Sequence, residues 1–380
     1  MDDARFRSAQ FLADSGLAAA LGRADPAVLA DEVVTVLEGP TPVVELWWLT
    51  DLDLPPGTRL FVGDHTLETT TTEQLRRLTP LPSAYDALPR RSRIDAELFH
   101  GSTFLHQESY LAPAISWRLP FLTTRPETRL WKPMLALSVW QPEVARVEAC
   151  WAVERRRRID TLYDDAGIDI RAFGPDDEYE VHQRGSYEAD PTALAAFIDE
   201  ISRRIDMLLV PGSTAGNRRR RQRARRLKRS AEHLLRASQR SLWRGRPLDD
   251  EEADEILLHY VIAVEALLAQ DEPELTRRVT QRAAVLFATD EERVFVEKVM
   301  RDAYGNRSRY THGDDTKNLD LEVVREVALA VVLRWIVVQS VGDTELDRAL
   351  LSDAARREIH TTLAEFFTHH AAPLGQLTGT

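Results

Sequence analysis

The chain has 380 residues and a net charge of −12 at neutral pH, with 43% hydrophobic and 29% charged side chains. That length suits two domains, and the composition suits a chain that folds in water. Its single cysteine, Cys150, excludes an internal disulfide and a cysteine-built zinc site, and it is compatible with a reducing, cytoplasmic setting.

The charge is unevenly spread. Residues 217–246 hold 13 Arg or Lys and one acid, Glu232, a local charge of +12, so the rest of the chain carries −12 − 12 = −24. Most of the surface would repel a nucleic acid, and one short segment would attract it. No secretory signal is visible: Met1-Asp-Asp-Ala opens acidic, and the apolar stretch from Phe11 is interrupted by Asp14, Ser15 and Gly16. The apolar run Val327–Leu333 stops at Arg334 and is too short to span a bilayer, which excludes a membrane partner of that kind.

In chain order, residues 3–22 read as a short helix with Phe6, Phe11, Leu12 and Leu17 on its apolar face. From 31 to 185 the pattern turns to strands. Val33–Leu37, Val43–Leu49 and Arg59–Val62 are β-branched or aromatic and are bounded by Gly-Pro and Pro-Pro-Gly turns. Further strands are expected at Ala114–Leu119, Met134–Trp140, Ala145–Ala152 and Tyr179–Gln183. Trp47, Trp48, Trp117, Trp131 and Trp140 suit the core of a sandwich or barrel. A ligand-binding surface is the other use of such a set. This region has no phosphate-binding glycine loop, no His-Glu-x-x-His and no nucleophile elbow. His100 and His106 flank Gly-Ser-Thr and read as exposed loop histidines, with a metal pair as the alternative.

Asp190 with Pro191 starts a helix of about 18 residues. Pro211–Asn217 reads as a linker. Arg218, Arg219, Arg220, Arg221, Arg223, Arg225, Arg226, Lys228 and Arg229 then form a basic run, either an RNA-phosphate strip or a solvated helix face. From Asp249 onward the chain reads as helices: the stripe Leu257, Val261, Val264, Leu268, then Leu275–Phe287, Glu291–Tyr304, Leu319–Val338 and Glu345–Thr368. The fold class expected is α+β in two domains. A β-rich sandwich or barrel-like domain with flanking helices spans 1–210. A linker follows at 211–217 and an all-α bundle at 218–372.

The candidate site is Tyr304-Gly-Asn-Arg-Ser-Arg-Tyr-Thr-His-Gly313. Arg307 is always charged and can hold the charge that builds on a phosphate in its transition state. His312 can move a proton near neutral pH. The spacing alone is weak, since chance supplies on the order of one Arg-x4-His pair in a chain this rich in Arg. Arg93/His100 and Arg226/His233 are decoys with six intervening residues. Context separates Arg307/His312 from them: Val261-Ile-Ala-Val-Glu-Ala-Leu-Leu268 and Arg282-Ala-Ala precede Arg-Ser-x-Tyr-x-His-Gly in that order.

That order resembles the Apea-like branch of the HEPN superfamily over roughly residues 231–340. The resemblance implies a helical bundle that dimerises and a metal-independent endoribonuclease, with Arg307 and His312 catalytic and no cofactor or metal. It also implies the architecture of antiviral-defence or abortive-infection toxins, in which an N-terminal sensor domain answers an unknown trigger and gates the nuclease. Non-catalytic HEPN modules that dimerise, or that bind a nucleotide or a partner, are the alternative. Ser308 and Asn306 are expected to touch the phosphate or orient His312, or to serve as capping and turn residues. Glu265, at the edge of its apolar stripe, needs a partner, for which Arg307 is the candidate, or else it sits at the surface. On a regular helix Arg307 and His312 point about 140° apart. They meet on one phosphate only if the helix ends between them or a second chain contributes.

Overall fold

The computed structural model describes residues 41–50, 52–74, 101–111, 130–141, 146–157, 164–172, 187–188, 190–209, 217–241, 248–269, 275–316, 319–341 and 346–370. The helix expected at 3–22, the strands at 33–37, 114–119 and 179–183, and His100 lie outside them. So do residues 211–216 of the linker. The chain divides into two compact units. One comprises Met1–Leu60, Asp64–Arg125 and Val147–Arg184. The other comprises Phe61–Gly63, Pro126–Arg146 and Gly185–Thr380.

Six strands form one sheet. They are β1 (Thr41–Thr50), β2 (Arg59–Val62), β3 (His65–Thr69), β4 (Thr103–Leu111), β5 (Arg146–Arg157) and β6 (Asp164–Ala172), in the order β2-β3-β4-β1-β5-β6. That order does not return on itself, so the described strands do not show the sandwich or barrel expected. The β1/β4 register sets Trp47 opposite Leu105 and Trp48 opposite Phe104, and all four side chains are buried. The β3/β4 register sets Leu67 opposite Leu105. Cross-strand pairs of this kind are the unit of sheet stability. His106 is no loop residue. It sits in β4, buried, with Nε2 3.0 Å from Glu68 Oε2 on β3, itself fully buried. Thr69 and Thr103 share a buried hydroxyl contact of 2.9 Å, and the Thr103 hydroxyl donates to Leu52 O.

The second unit is helical: α1 (Trp131–Trp140), α2 (Pro191–Leu209), α3 (Asn217–Ser241), α4 (Asp250–Leu268), α5 (Leu275–Ala284), α6 (Asp290–His312), α7 (Leu321–Val341), α8 (Leu346–Leu351) and α9 (Asp353–His369). The segment Met134–Trp140, expected as a strand, is helical. A short apolar run has no periodicity that separates a buried strand from a buried helix, and Pro133 in its first turn favours the helix. All of α1 except Lys132 is buried.

Pro126–Arg146 and the segment from Gly185 onward belong to the helical unit. Helices α1 and α2 pack on each other and on α7, within the helical unit. Asp190 supplies its expected cap, accepting from Thr192 N at 3.0 Å. Arg204 of α2 donates to Val337 O at 3.0 Å and Ser340 Oγ at 2.8 Å on α7, which fixes that packing. The last predicted helix is two, because Ser352 interrupts it and caps α9 through Ala355 N. Among the described residues no helix is long and apolar enough to cross a membrane.

Two arginines anchor the bundle interior. Arg334 is buried in α7, with its guanidinium 4.2 Å from the ring centre of Phe287 and 5.1 Å from that of Phe367. Burial pulls its pKa down to about 10, so it stays charged at neutral pH over those two π faces. Arg282 of α5 is 2% exposed and forks onto Asp347 of α8 at 2.7 and 2.6 Å, while Nη1 donates to Leu268 O. This guanidinium holds the Asp347 carboxyl below the usual carboxylate range. Asp347→Ala should cost about 2–3 kcal/mol, the scale of a lost charged hydrogen-bond pair. Urea unfolding of the purified variant reads that loss. A change within about 0.5 kcal/mol, the level of an ordinary surface substitution, would mean the fork contributes little.

Candidate functional site

Two capped helices carry the site. On α4, Asp249 accepts from Glu252 N, and Glu252 reaches back to Asp249 N, a reciprocal box. On α6, Thr289 and Glu292 repeat the arrangement. Helix α6 then runs unbroken past Tyr304 to His312. Gly313 ends it with φ 75° and ψ 22°, a left-handed cap that glycine adopts without a Cβ penalty. Gly313 N donates to Tyr310 O, and Asp314 N donates to Arg309 O at 2.9 Å.

Arg307 of α6 donates through Nη1 to Glu265 Oε2 of α4, the partnership expected from the sequence. Both side chains are partly buried. The guanidinium carbon also lies 5.8 Å from the ring centre of Tyr304, one turn back on α6. Tyr304 is buried, and its hydroxyl has no hydrogen bond of good geometry. Burial pushes the phenol pKa well up, the Glu265 charge pushes it further, and Arg307 opposes them. The phenol is thus neutral beside the ion pair.

The other expected site residues separate. His312 and Ser308 are exposed, four residues apart on one face of α6. Gly305 continues that face, and a Cβ there would meet nothing within 4 Å. Arg307 lies on another face. Because the helix does not end between them, Arg307 and His312 stay about 140° apart and rise about 7.5 Å along the axis. One chain does not bring both to one phosphate. Asn306 is only 2% exposed, so a role touching the phosphate does not fit it; helical phase turns it inward while Ser308 turns outward. Asp314 and Asp315 follow in exposed positions.

The basic run lies on α3. Arg221, Arg225, Lys228 and Arg229 are exposed, while Arg223 and Arg226 are half-buried. Arg223 donates to Gln339 O at 3.4 Å, and Lys228 stands 3.8 Å from Glu232. Arg218, Arg219 and Arg220 occupy the first turn of the same helix. Leu227, Ala231, Leu234 and Leu235 bury the opposite side, and α3 packs along α4, which carries Glu265.

A further pair was hidden in the sequence. His233 of α3 and His259 of α4 face each other with Nδ1 atoms 3.0 Å apart. Burial first, then the charges of His259, Arg236 and Arg229, lower the His233 pKa to about 4. The two residues stand 26 apart in the chain, a separation that carries no spacing signal. Among the described residues, no group of three or more metal-ligating side chains is assembled.

Compared with known protein families, curated proteins and solved structures, the chain matches none.

The His pair makes stability depend on pH. Unfolded, His233 binds a proton below about pH 6.5, whereas the folded group stays neutral until about pH 4. Its contribution is therefore complete above about 6.5 and is lost as the pH falls through that window. Thermal melts from pH 7 to 4 should show the wild type losing more melting temperature than His233→Phe; parallel curves would remove the pair from the acid response.

Proposed function

We propose that the chain is a metal-independent endoribonuclease whose site joins Arg307 and His312 from two copies of the helical unit. The observation that carries this reading is an Arg307 held by Glu265 and an exposed His312 on the same C-terminal end of α6, on different faces of the helix. The two side chains diverge by about 140°, so a two-fold pair of helices is the arrangement that sets a histidine of one copy against an arginine of the other.

In the proposed step the 2′-hydroxyl of RNA attacks the adjacent phosphorus. The bond to the leaving 5′-oxygen breaks, leaving a 2′,3′-cyclic phosphate and a 5′-hydroxyl. His312 takes the proton from the attacking hydroxyl or returns one to the leaving oxygen. Arg307 neutralises the charge on the equatorial oxygens. Glu265 positions the guanidinium. The phosphate then competes with Glu265 for it, and the planar fork lets Arg307 serve both. Ser308 shares the exposed face of His312 and would hydrogen-bond the strand. The basic face of α3 supplies non-specific phosphate contacts. As the HEPN-like architecture implies, the β-rich unit would gate this activity in response to a trigger, as in an antiviral-defence toxin.

The ion pair itself favours a second reading. An arginine already held by Glu265, with His312 turned away from it, suits a helical module that dimerises or binds a nucleotide or partner without cleaving it.

Total cellular RNA separates the two. Arg307→Ala and His312→Ala should each lower cleavage by about a hundred-fold or more, with melting temperatures near wild type for His312→Ala. EDTA should leave the rate unchanged, and a 2′-deoxy group at the cut position should block it. Full activity in both variants, or cleavage that needs a divalent ion, would leave the binding-module reading in front.

The basic face has its own test. Replacing Arg221, Arg225, Lys228 and Arg229 together by Glu should weaken RNA binding and flatten its salt dependence, by up to about 0.7 in slope for each phosphate no longer neutralised. An unchanged slope would make the face merely solvated.

A further inference from the structure

Tyr304 is a buried phenol whose hydroxyl has no partner. The residue is 5% exposed, its oxygen is shut off from solvent, and among the described residues that oxygen meets no hydrogen-bond partner of good geometry. Donors left unpaired inside a protein are rare and lower its stability, so each one calls for a reason. Packing does not supply one, because phenylalanine would fill the same ring volume without burying an oxygen.

The surroundings of the hydroxyl do supply one. Tyr304 precedes Arg307 by three residues, so both project from the same side of α6. The guanidinium carbon stands 5.8 Å from the ring centre. Arg307 donates through Nη1 to Glu265 Oε2 across the contact of α4 with α6. The same carboxylate bears on the phenol: after burial, its charge and its reach as an acceptor raise the Tyr304 pKa, with Arg307 opposing. Glu265 therefore has one donor bonded to it and a second buried beside it.

The three groups differ in freedom. The Arg307 side chain is 29% exposed and that of Glu265 22%, while Tyr304 is enclosed. The guanidinium can swing toward a ligand in solvent, and the phenol cannot leave. A half-buried carboxylate that loses its cation is penalised unless another donor reaches it. A hydroxyl donating to a carboxylate forms one of the stronger hydrogen bonds.

We infer that Tyr304 is a positioning residue of the site: when a phosphate draws Arg307 away, the Tyr304 hydroxyl turns to Glu265 and donates the hydrogen bond that the guanidinium gave up. The phenol keeps its proton throughout. The exchange eases the release of Arg307, so a phosphate is held more tightly than the resting ion pair alone would allow. The inference rests on the reading of Arg307 as a phosphate ligand and not on cleavage.

The test is a mutant cycle read by the affinity of the full chain for a 2′-O-methyl octanucleotide, which the proposed step cannot cut. Tyr304→Phe removes the hydroxyl alone. It should keep or raise the melting temperature and weaken binding about three- to tenfold, the range of one net hydrogen bond. The loss should shrink to within about twofold in Glu265→Gln, which has no carboxylate for the phenol, and in Arg307→Ala, which has no guanidinium to release. Affinity unchanged by Tyr304→Phe, or a loss equally large in all three backgrounds, would overturn the inference. Cutting of the all-ribose strand is read on the same preparations. Binding that shows the coupling without any cutting removes the nuclease reading alone, and cutting without the coupling removes the role of Tyr304 alone.

Discussion

The 23 residues of α6 form one uninterrupted helix, and that continuity constrains everything proposed for the site. A break after Arg307 would have let one chain fold His312 back onto its own arginine. Instead Gly313 ends the helix one residue after His312, and the two side chains are held apart by helical geometry. Arg307 turns inward to Glu265 and the neutral Tyr304, while His312 turns outward with Ser308. Any chemistry that uses both must recruit a second surface.

The packing around α6 makes that constraint stiff. Reciprocal caps fix the starts of α4 and α6, and the ion pair ties the two helices near their C-terminal ends. Beneath them α7 is almost wholly buried and carries the charged Arg334 between aromatic rings. On the far side, Arg282 locks α5 to α8. A chain in which 45 of the 49 basic residues are Arg uses that side chain in three ways: as an interior anchor, as a site group and as a solvated face.

Much of the helical unit was legible because its signals are local. Asp190 before Pro191, the Leu257/Val261/Val264/Leu268 stripe and Gly313 after the motif each act through neighbours within a turn. The Glu265–Arg307 pair was legible for another reason: a carboxylate beside an apolar stripe needs a cation. Met134–Trp140 misled because seven residues, apolar but for Ser138, carry no phase. Its true context, burial among α2, α3 and α7, is set by distant residues. His106 misled because its partner Glu68 lies 38 residues away on another strand. Asn306 looked like a site residue beside Arg307, yet neighbours on a helix face different ways, and this one faces inward. The His233–His259 contact depends on the crossing of α3 and α4, which no single helix encodes.

The central claim is that Arg307 of one copy acts with His312 of another. Coexpression of Arg307→Ala and His312→Ala chains tests it directly, since the mixed pair contains one site with both groups and one with neither. The account predicts that each variant alone is inactive on RNA and that the mixture recovers a readily measured part of wild-type cleavage. A mixture as inactive as its components, with mixed pairs demonstrably formed, would contradict it.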